Sequence, residues 1–266
     1  IHVLRCFEND NITHVDGSID PVRDKGIIDT ELQLKDLETI ENRLAKTQKQ
    51  AVVGGDKQAK RAVEILLQYK TVLEQGLSAR TVELEKEDRK LVADLNLLTD
   101  KPVLYVCNVD EKSAVTGNEH TRAVEAAIAD ERAEMLIVAA ATEADIAELD
   151  EYEERQMFLE DMGLKESGVA RLIKAAYRLL NLETFFTTGA DETRAWTYAR
   201  GMKAPQTAGI IHTDFEKGFI RAEVIKYDDY VALGSEKACR DAGKIGIEGK
   251  EYVVQDGDIM HFLFNV

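Results

Sequence analysis

The chain is poor in cysteine and in positive charge. Its 266 residues include three cysteines, and 34 Lys and Arg stand against 50 Asp and Glu, a net charge of −16. Because Cys6, Cys107 and Cys239 are far apart and odd in number, they argue against a disulfide framework and against a zinc site. The acidic balance works against diffuse binding to nucleic acid, so any RNA contact must depend on a local patch.

Two further absences narrow the class of protein. No apolar run is long enough to span a membrane and no secretory signal peptide is present, so we expect a cytoplasmic protein without membrane contact. The five histidines show no ligand spacing, which leaves a metal hydrolase with little support and predicts no metal site within the chain. The 44% apolar and 32% charged residues are typical of a folded globular protein, and nothing demands more than a monomer.

The first residues, Ile1–Phe7, predict a strand that has no turn or cap before it. Such a start is typical of the middle of a sheet, and we expect that earlier strands of this sheet are missing. Asp20-Pro21, after a loop rich in Asn, Asp and Gly, is expected to start a turn.

From Asp29 the pattern becomes helical, with apolar residues at steps of three to five. Gly54–Gly55 breaks the chain, and Asp56 is placed to cap a second helix. A third helical piece is predicted at about 83–98. Two long helices with so short a link predict an antiparallel hairpin. Its apolar stripes either bind a partner or simply pack the hairpin against itself.

Two apolar runs, 103–107 and 135–140, are each followed by a helical pattern and predict buried parallel strands. Strand, helix, strand and helix in this order indicate a doubly wound α/β sheet. The first strand is predicted to belong to the same sheet. The hairpin, which lies between the first strand and the other two, is therefore predicted to be an insertion into the α/β domain. We therefore predict one α/β domain in two parts, 1–28 and 100–182, interrupted at 29–99.

The last part of the chain, 183–266, changes to β character and predicts a small separate sheet-plus-helix domain. One helix is expected near 227–238. The expected strands are 184–188, 194–198, 251–254 and 259–264.

Asn108 directly follows the predicted strand 103–107, at the edge where open α/β sheets bind ligands. Asn108-Val109-Asp110-Glu111 is similar to Asn-Lys-x-Asp, the base-recognition motif of GTPase-like folds. There the Asp accepts hydrogen bonds from the ring NH and the exocyclic amine of guanine, and adenine lacks that amine. Glu111 in place of the Asp, and Val109 in place of the Lys, relax guanine specificity. A loop acid after a strand is otherwise simply solvated.

Two other positions lie at the same predicted edge. Ala140 and Ala141, at the end of the next strand, are small enough to let backbone amides approach a base, although tight strand–helix packing explains them equally well. His14, in the loop after the first strand, is placed to position an attacking water. A structural or exposed histidine is the simpler explanation.

Segments along the whole chain resemble the YchF/Obg-like ATPase family, and the block His212–Glu223 is highly specific. The segments are Arg5–Asp10, Asp20-Pro21, Asn108–Glu111, Glu143–Leu149, Arg194–Thr197, Ala204–Gln206, Ile211–Glu223 and Val254–Asp258. The resemblance implies an α/β, doubly wound P-loop NTPase domain that is interrupted by an α-helical coiled-coil hairpin. It also implies a C-terminal β-grasp (ubiquitin-like) TGS domain, here residues 183–266.

The resemblance also implies a function. Members of the family use ATP in preference to GTP, with Mg²⁺, and associate with the ribosome or its subunits. By this resemblance Asn108 bonds the adenine edge, Val109 contacts the base through its backbone, and Glu111 closes the modified motif. His14 matches a histidine in a mobile loop of the family.

The chain departs from the family pattern in the motifs that bind the phosphates of the nucleotide. Gly-x-x-x-x-Gly-Lys-Ser/Thr, which cradles the phosphates, and the switch segment Asp-x-x-Gly are absent from the 266 residues. We expect both upstream of Ile1. Without the phosphate clamp and the Mg²⁺ ligands, the chain alone is predicted to be inactive and to bind neither ATP nor Mg²⁺ tightly.

The rival interpretation is a non-catalytic module in which the hairpin and the TGS domain bind RNA or protein. A basic stripe on the TGS sheet would favour RNA, although ordinary surface charges beside nearby acids give the same pattern. The candidates are Arg194, Arg200, Lys203, Lys217 and Arg221.

Overall fold

The computed structural model describes residues 1–53, 56–131, 133–189 and 192–265. It divides into two compact units, Ile1–Ala175 and Ala176–Val266. Within the described residues, no helix combines the length and the apolar character that crossing a bilayer requires. The predicted link Gly54–Gly55 lies outside the described residues.

A three-stranded parallel sheet organises the first unit. Its strands are β1 (His2–Arg5), β2 (Leu104–Asn108) and β3 (Glu134–Val138), in the order β1-β2-β3. The central strand β2 is buried from Leu104 to Cys107, as expected for an apolar run between two neighbours. Since β1 and β2 are adjacent, the segment between them is inserted between two neighbouring strands.

The inserted segment contains two long helices. α1 (Pro21–Val53) is followed by α2 (Lys57–Glu74), and the Asp56 carboxylate caps α2 as predicted by accepting the Gln58 N–H at 2.8 Å. The two helices share one apolar cluster. Its buried members include Ile40, Leu44, Ile65, Leu66, Tyr69 and Leu73.

α1 begins at Pro21, eight residues before the predicted start at Asp29, and the turn predicted at Asp20-Pro21 was wrong. The Asp20 carboxylate accepts the N–H groups of Val22 and Arg23 at 3.1 and 3.0 Å. Pro21 stands in the first helical position, where its missing N–H removes no hydrogen bond. Asp-Pro is therefore a helix start here.

The predicted third helix is shorter than 83–98. α3 (Lys86–Val92) gives way to a 3-10 turn, Ala93–Leu95, and Asn96 then takes a left-handed φ of 50° that ends the helical segment.

A buried carboxylate holds the chain where it leaves the hairpin for β2. Asp36, on α1, accepts hydrogen bonds from the Leu98 N–H, the Thr99 N–H and the Thr99 hydroxyl, each at 2.7 Å. The Thr99 hydroxyl in turn accepts the Ala79 N–H at 3.0 Å. One side chain thus connects α1 with two segments that follow α2.

Between α3 and residue 182, the described residues form four α-helices. They are α4 (Glu119–Ala127), α5 (Ala140–Ala147), α6 (Tyr152–Asp161) and α7 (Gly168–Leu179). The order β2, α4, β3, α5 is the alternation that the sequence predicted for an α/β fold.

A five-stranded mixed sheet organises the second unit, in the order β5-β4-β8-β6-β7. The strands are β4 (Leu182–Thr188), β5 (Thr193–Ala199), β6 (Phe219–Ile225), β7 (Gly246–Glu248) and β8 (Ile259–Phe264). Phe185, Met260 and Phe262 form the core of this unit with Ala208 of α8 (Ala204–Ile211).

The sequence missed β6, β7, α8 and α9 (Thr213–Lys217). The strand predicted at 251–254 was wrong, because Val253 forms only an isolated bridge with Lys203. The helix predicted near 227–238 is two helices, α10 (Tyr227–Leu233) and α11 (Glu236–Asp241), since Gly234 takes a φ of 79° between them. β7 and α9 have only three and five residues, too few for a clear periodic signal.

Candidate functional site

Asn108 is the last residue of β2, at the carboxyl edge of the parallel sheet. Its Oδ1 accepts the N–H of Ala140 at 3.0 Å. Because a backbone N–H can only donate, the side-chain oxygen of Asn108 must face Ala140. The side-chain nitrogen of Asn108 therefore points away from Ala140. Asn108 therefore presents N–H donors at the edge where open α/β sheets bind ligands.

The remaining residues of the motif have different environments. Val109 is buried and its N–H donates to the Val138 carbonyl at 3.0 Å, so only its carbonyl remains for a ligand. Asp110 is a cap, since its carboxylate accepts the Ser113 N–H at 3.0 Å. Glu111 is exposed and its carboxylate has no hydrogen-bond partner among the described residues. Glu111 is thus the acid of the motif that is available to a ligand.

Ala140 and Ala141 form the first turn of α5 and are both exposed. The first N–H groups of a helix have no partner within it, and small side chains leave them accessible. The N–H of Ala140 donates to Asn108. Of the two exposed alanines, Ala141 is therefore the one whose N–H is available to a ligand. The structure brings these two residues and Asn108 together.

Asn118 supports this edge and was missed by the sequence analysis. Its Nδ2 donates to the Cys6 carbonyl at 2.7 Å, and its Oδ1 accepts the Thr121 N–H at 3.1 Å at the start of α4. It thereby joins the chain after β1 to the segment after β2. The signal was available, because an Asn three residues before a Thr at a helix start is a capping pattern.

His14 lies in the loop between β1 and α1, and both its ring nitrogens are engaged. The Asp16 N–H donates to Nδ1 at 3.2 Å, so Nδ1 is the acceptor and Nε2 carries the proton. Nε2 lies 2.9 Å from the Asp24 carboxylate and donates to it. His14 must release one of these contacts before it can bind a water.

The carboxylates of Asp16 and Asp24 and the His14 ring form a cluster whose possible metal ligands all lie within 4.8 Å of one another. Arg23 donates to Asp24 at 2.9 Å and lies 3.4 Å from the Asp16 carboxylate. The hydrogen bond to Asp24 raises the pKa of Arg23. Because the guanidinium already supplies the positive charge and the ring nitrogens are occupied, this cluster does not fit a metal ion.

A cavity of about 750 Å³ lies at the opposite, amino edge of the sheet, between the base of the hairpin and the residues that precede β2 and β3. On its wall Glu131 pairs with Lys25 at 2.5 Å and Arg80 at 3.2 Å, and accepts the Tyr105 hydroxyl at 2.8 Å. Burial lowers the pKa of Lys25, but its bonds to Asp29 and Glu131 outweigh this and raise the pKa. This network fastens the hairpin to the sheet and lies away from the base motif.

Two of the basic residues predicted to bind RNA have partners within the second unit. The Arg194 guanidinium lies 4.1 Å from the centre of the Trp196 ring, on the edge strand β5. Arg200 pairs with Glu183 at 2.7 Å. Neither charge is fully available to a phosphate.

The other three do not complete a stripe. Lys203 pairs with Glu251. Lys217 ends α9, and Arg221 lies on β6, three strand positions from β5, which is about 14 Å. The structure therefore scatters the five predicted residues over the unit.

Comparison with known proteins identifies the family. A family model described as YchF-GTPase_C, protein of unknown function (DUF933), matches residues 182–265. Over 267 residues the chain is 52% identical to the Ribosome-binding ATPase YchF of Bacillus subtilis (strain 168), covering 100% of this chain and 72% of that protein. The chain belongs to the YchF/Obg-like ATPase family.

Two further relatives agree with this membership. The chain is 46% identical over 270 residues to Obg-like ATPase 1 of Rattus norvegicus, covering 99% of this chain and 67% of that protein. The solved structure of the Schizosaccharomyces pombe YchF GTPase matches with a TM-score of 0.85 at 34% identity, over 98% of this chain and 71% of that one. The resemblance predicted from the motifs is confirmed, and the α/β fold is that of YchF.

Proposed function

We propose that the polypeptide carrying this chain is a cytoplasmic P-loop NTPase that binds the ribosome and hydrolyses ATP in preference to GTP. The name of the Bacillus subtilis relative, Ribosome-binding ATPase YchF, supports both the ATPase activity and the binding to the ribosome. In this proposal the first unit is part of the NTPase domain, with α1 and α2 as its coiled-coil arm. The second unit is a β-grasp TGS domain, and the protein acts as a monomer.

The observation that carries base binding is the orientation of Asn108. Its oxygen is held by the Ala140 N–H, so its N–H donors face the ligand edge of the sheet. N7 of both adenine and guanine is an acceptor. Asn108 therefore supports purine binding without choosing between the two bases.

The preference for ATP rests on Glu111 and Val109. A guanine site needs an acid that accepts from the ring NH and the exocyclic amine, and adenine lacks that pair of donors. Asp110 cannot take this role because it caps the turn that follows. Glu111 has a longer side chain than the Asp of the guanine motif, and the Val109 side chain is buried away from a base.

Phosphoryl transfer requires residues outside these 266. The sequence has no Gly-x-x-x-x-Gly-Lys-Ser/Thr to cradle the phosphates. The cluster at His14, Asp16 and Asp24 does not fit Mg²⁺, which in NTPases neutralises the phosphate charge when bound. We propose that the chain alone is inactive.

This proposal predicts both the size and the nucleotide preference of the natural polypeptide. Its intact mass is expected to exceed that of 266 residues, and the same sample should hydrolyse Mg-ATP and bind ATP at least about 10-fold more tightly than GTP. The isolated chain should show no turnover. Tighter binding of GTP than of ATP would reject the proposed preference for adenine. Turnover by the isolated chain would reject the proposal that phosphoryl transfer requires residues outside the 266.

A second candidate is a non-catalytic RNA- or protein-binding module. It is favoured by the lack of a phosphate-binding loop in the 266 residues. A natural polypeptide that consists of this chain alone, binds ribosomes and has no ATPase activity would establish it.

We propose that His14 positions the attacking water once it leaves Asp24. Replacing His14 by alanine in the natural polypeptide should lower kcat for ATP by about 100-fold and leave KM within about 3-fold. His120→Ala is the matched control, because both side chains are 20% exposed and each has a ring nitrogen close to a carboxylate oxygen, at 2.9 Å for His14 and 3.5 Å for His120. An equal loss in both variants, or a parallel fall in melting temperature, would assign His14 a structural role instead.

A further inference from the structure

The outer end of the helical hairpin carries a charge opposite to that of the whole chain. Residues 42–63 contain six Lys and Arg against one Asp, whereas the rest of the chain contains 28 Lys and Arg against 49 Asp and Glu. We call 42–53 and 56–63 the hairpin tip. A net charge of −16 therefore conceals a local excess of five positive charges.

The four lysines of the tip differ from the other cations of α1 and α2, among them Arg43 and Arg61, in having no partner among the described residues. Six of the ten in α1 and α2 are paired, namely Arg23 with Asp24, Lys25 with Asp29, Lys35 with Glu38, Arg43 with Asp94, Arg61 with Asp88 and Lys70 with Glu41. Lys46, Lys49, Lys57 and Lys60 are exposed and form no hydrogen bond or ion pair with any described residue. Among the described residues, the unpaired positive charge of α1 and α2 is thus confined to the tip.

The four lysines lie at the same end of the helical pair. Lys46 and Lys49 are three residues apart on α1, and Lys57 and Lys60 are three residues apart on α2, so each pair lies on one helix face. With a rise of 1.5 Å per residue, all four lie within about 10 Å of the end of the helical pair. The two acids that lie four residues from Lys60 have other partners, since Asp56 accepts the Gln58 N–H and Glu64 pairs with Arg61.

We propose that the hairpin tip binds RNA through the phosphates of its backbone. The inference rests on the proposed ribosome binding and names the contact surface. Residues 42–63 include no aromatic side chain that could stack on a base, so the contact is to phosphates of helical RNA and not to unpaired bases. Protein interfaces are instead depleted in lysine and depend on aromatic or arginine anchors.

The test replaces Lys46, Lys49, Lys57 and Lys60 by glutamine together. Glutamine keeps the helix propensity and removes the charge. The matched control replaces Lys101, Lys165, Lys237 and Lys250, which are also exposed and also form no pair with a described residue. The natural polypeptide and both variants are titrated, over a series of KCl concentrations, with purified ribosomes and with deproteinised ribosomal RNA.

We expect the tip variant to lose about 100-fold in affinity for both probes at low salt, and the slope of log K against log salt to fall by about 3. The control should stay within about 2-fold of the natural polypeptide. If the tip variant binds both probes like the natural polypeptide, the inference is wrong and ribosome binding stands.

Three other outcomes separate the inference from the proposed function. In the first, the tip variant loses ribosome binding and the natural polypeptide does not bind naked RNA. The tip would then bind an acidic protein surface of the ribosome, and the proposal that it binds RNA would be wrong. Binding of naked RNA through the four lysines without ribosome binding would keep the inference and reject the function. Binding of neither probe by the natural polypeptide would reject both.

Discussion

Replacing Asp36 by alanine is expected to lower the free energy of unfolding of the first unit by about 3–5 kcal/mol. Asp36 is 2% exposed and accepts three hydrogen bonds, two from Thr99 and one from Leu98. Alanine would leave these donors buried without an acceptor. It would also release the Thr99 hydroxyl that accepts the Ala79 N–H, so the base of the hairpin should loosen.

Urea unfolding followed by two signals measures this effect. Far-UV circular dichroism reports mainly the helices of the first unit, the longest of which are α1 and α2 with 33 and 18 residues, whereas the single tryptophan, Trp196, reports the second unit. The dichroism midpoint should fall and the fluorescence midpoint should stay. Asp94→Ala is the control, because its pair with Arg43 is exposed and should contribute less than about 1 kcal/mol. Equal effects of the two substitutions would show that the buried carboxylate has no special role.

Replacing Asn108 by aspartate is expected to weaken ATP binding by the natural polypeptide by about 100-fold or more. The aspartate keeps an acceptor for the Ala140 N–H and so keeps the local structure. It loses the N–H donors and places a negative charge opposite the purine N7 acceptor. Asn108→Ala removes the donors without adding charge and should weaken binding by about 10- to 100-fold.

Isothermal titration with ATP measures both variants, and their melting temperatures check that the fold is intact. GTP affinity should fall by a similar factor, because N7 is common to the two purines. If the Asn108→Asp variant binds ATP within about 3-fold of the unchanged polypeptide, the base lies elsewhere. A loss confined to one of the two nucleotides would show that Asn108 reads another position of the base.

The success of prediction differed between long and short elements. The β2 run and the helices α1 and α2 have many residues in one periodic pattern, so their presence was predicted correctly. In the second unit β4, β5 and β8 were predicted correctly, but β7, with only three residues, and β6, with a register shift between Phe219 and Arg221, were missed. α10 and α11 were merged, since a periodic pattern does not show the backbone conformation of Gly234.

The charged residues show a second limit. A count over residues 42–63 would have revealed the basic tip in the sequence, but only the structure shows that four of its lysines are unpaired. The reverse holds for Arg194 and Arg200, which form a basic set in the sequence. The partner of Arg200, Glu183 on β4, becomes evident only when β4 and β5 are aligned, whereas Trp196 lies two residues from Arg194 on the same strand.

The sequence by itself determined the family, the α/β class, the position of Asn108 at the end of a buried strand, and the lack of a phosphate-binding loop in the 266 residues. These depend on residue order and on periodicity, which are local. The tertiary structure decided the roles of individual polar groups: Asp36 as a buried acceptor, Asp110 as a cap, Asn108 as a donor, and His14 as a ring held at both nitrogens. Hydrogen bonds form between atoms about 3 Å apart, and only the fold brings residues as distant in sequence as Asp36 and Thr99 to that separation.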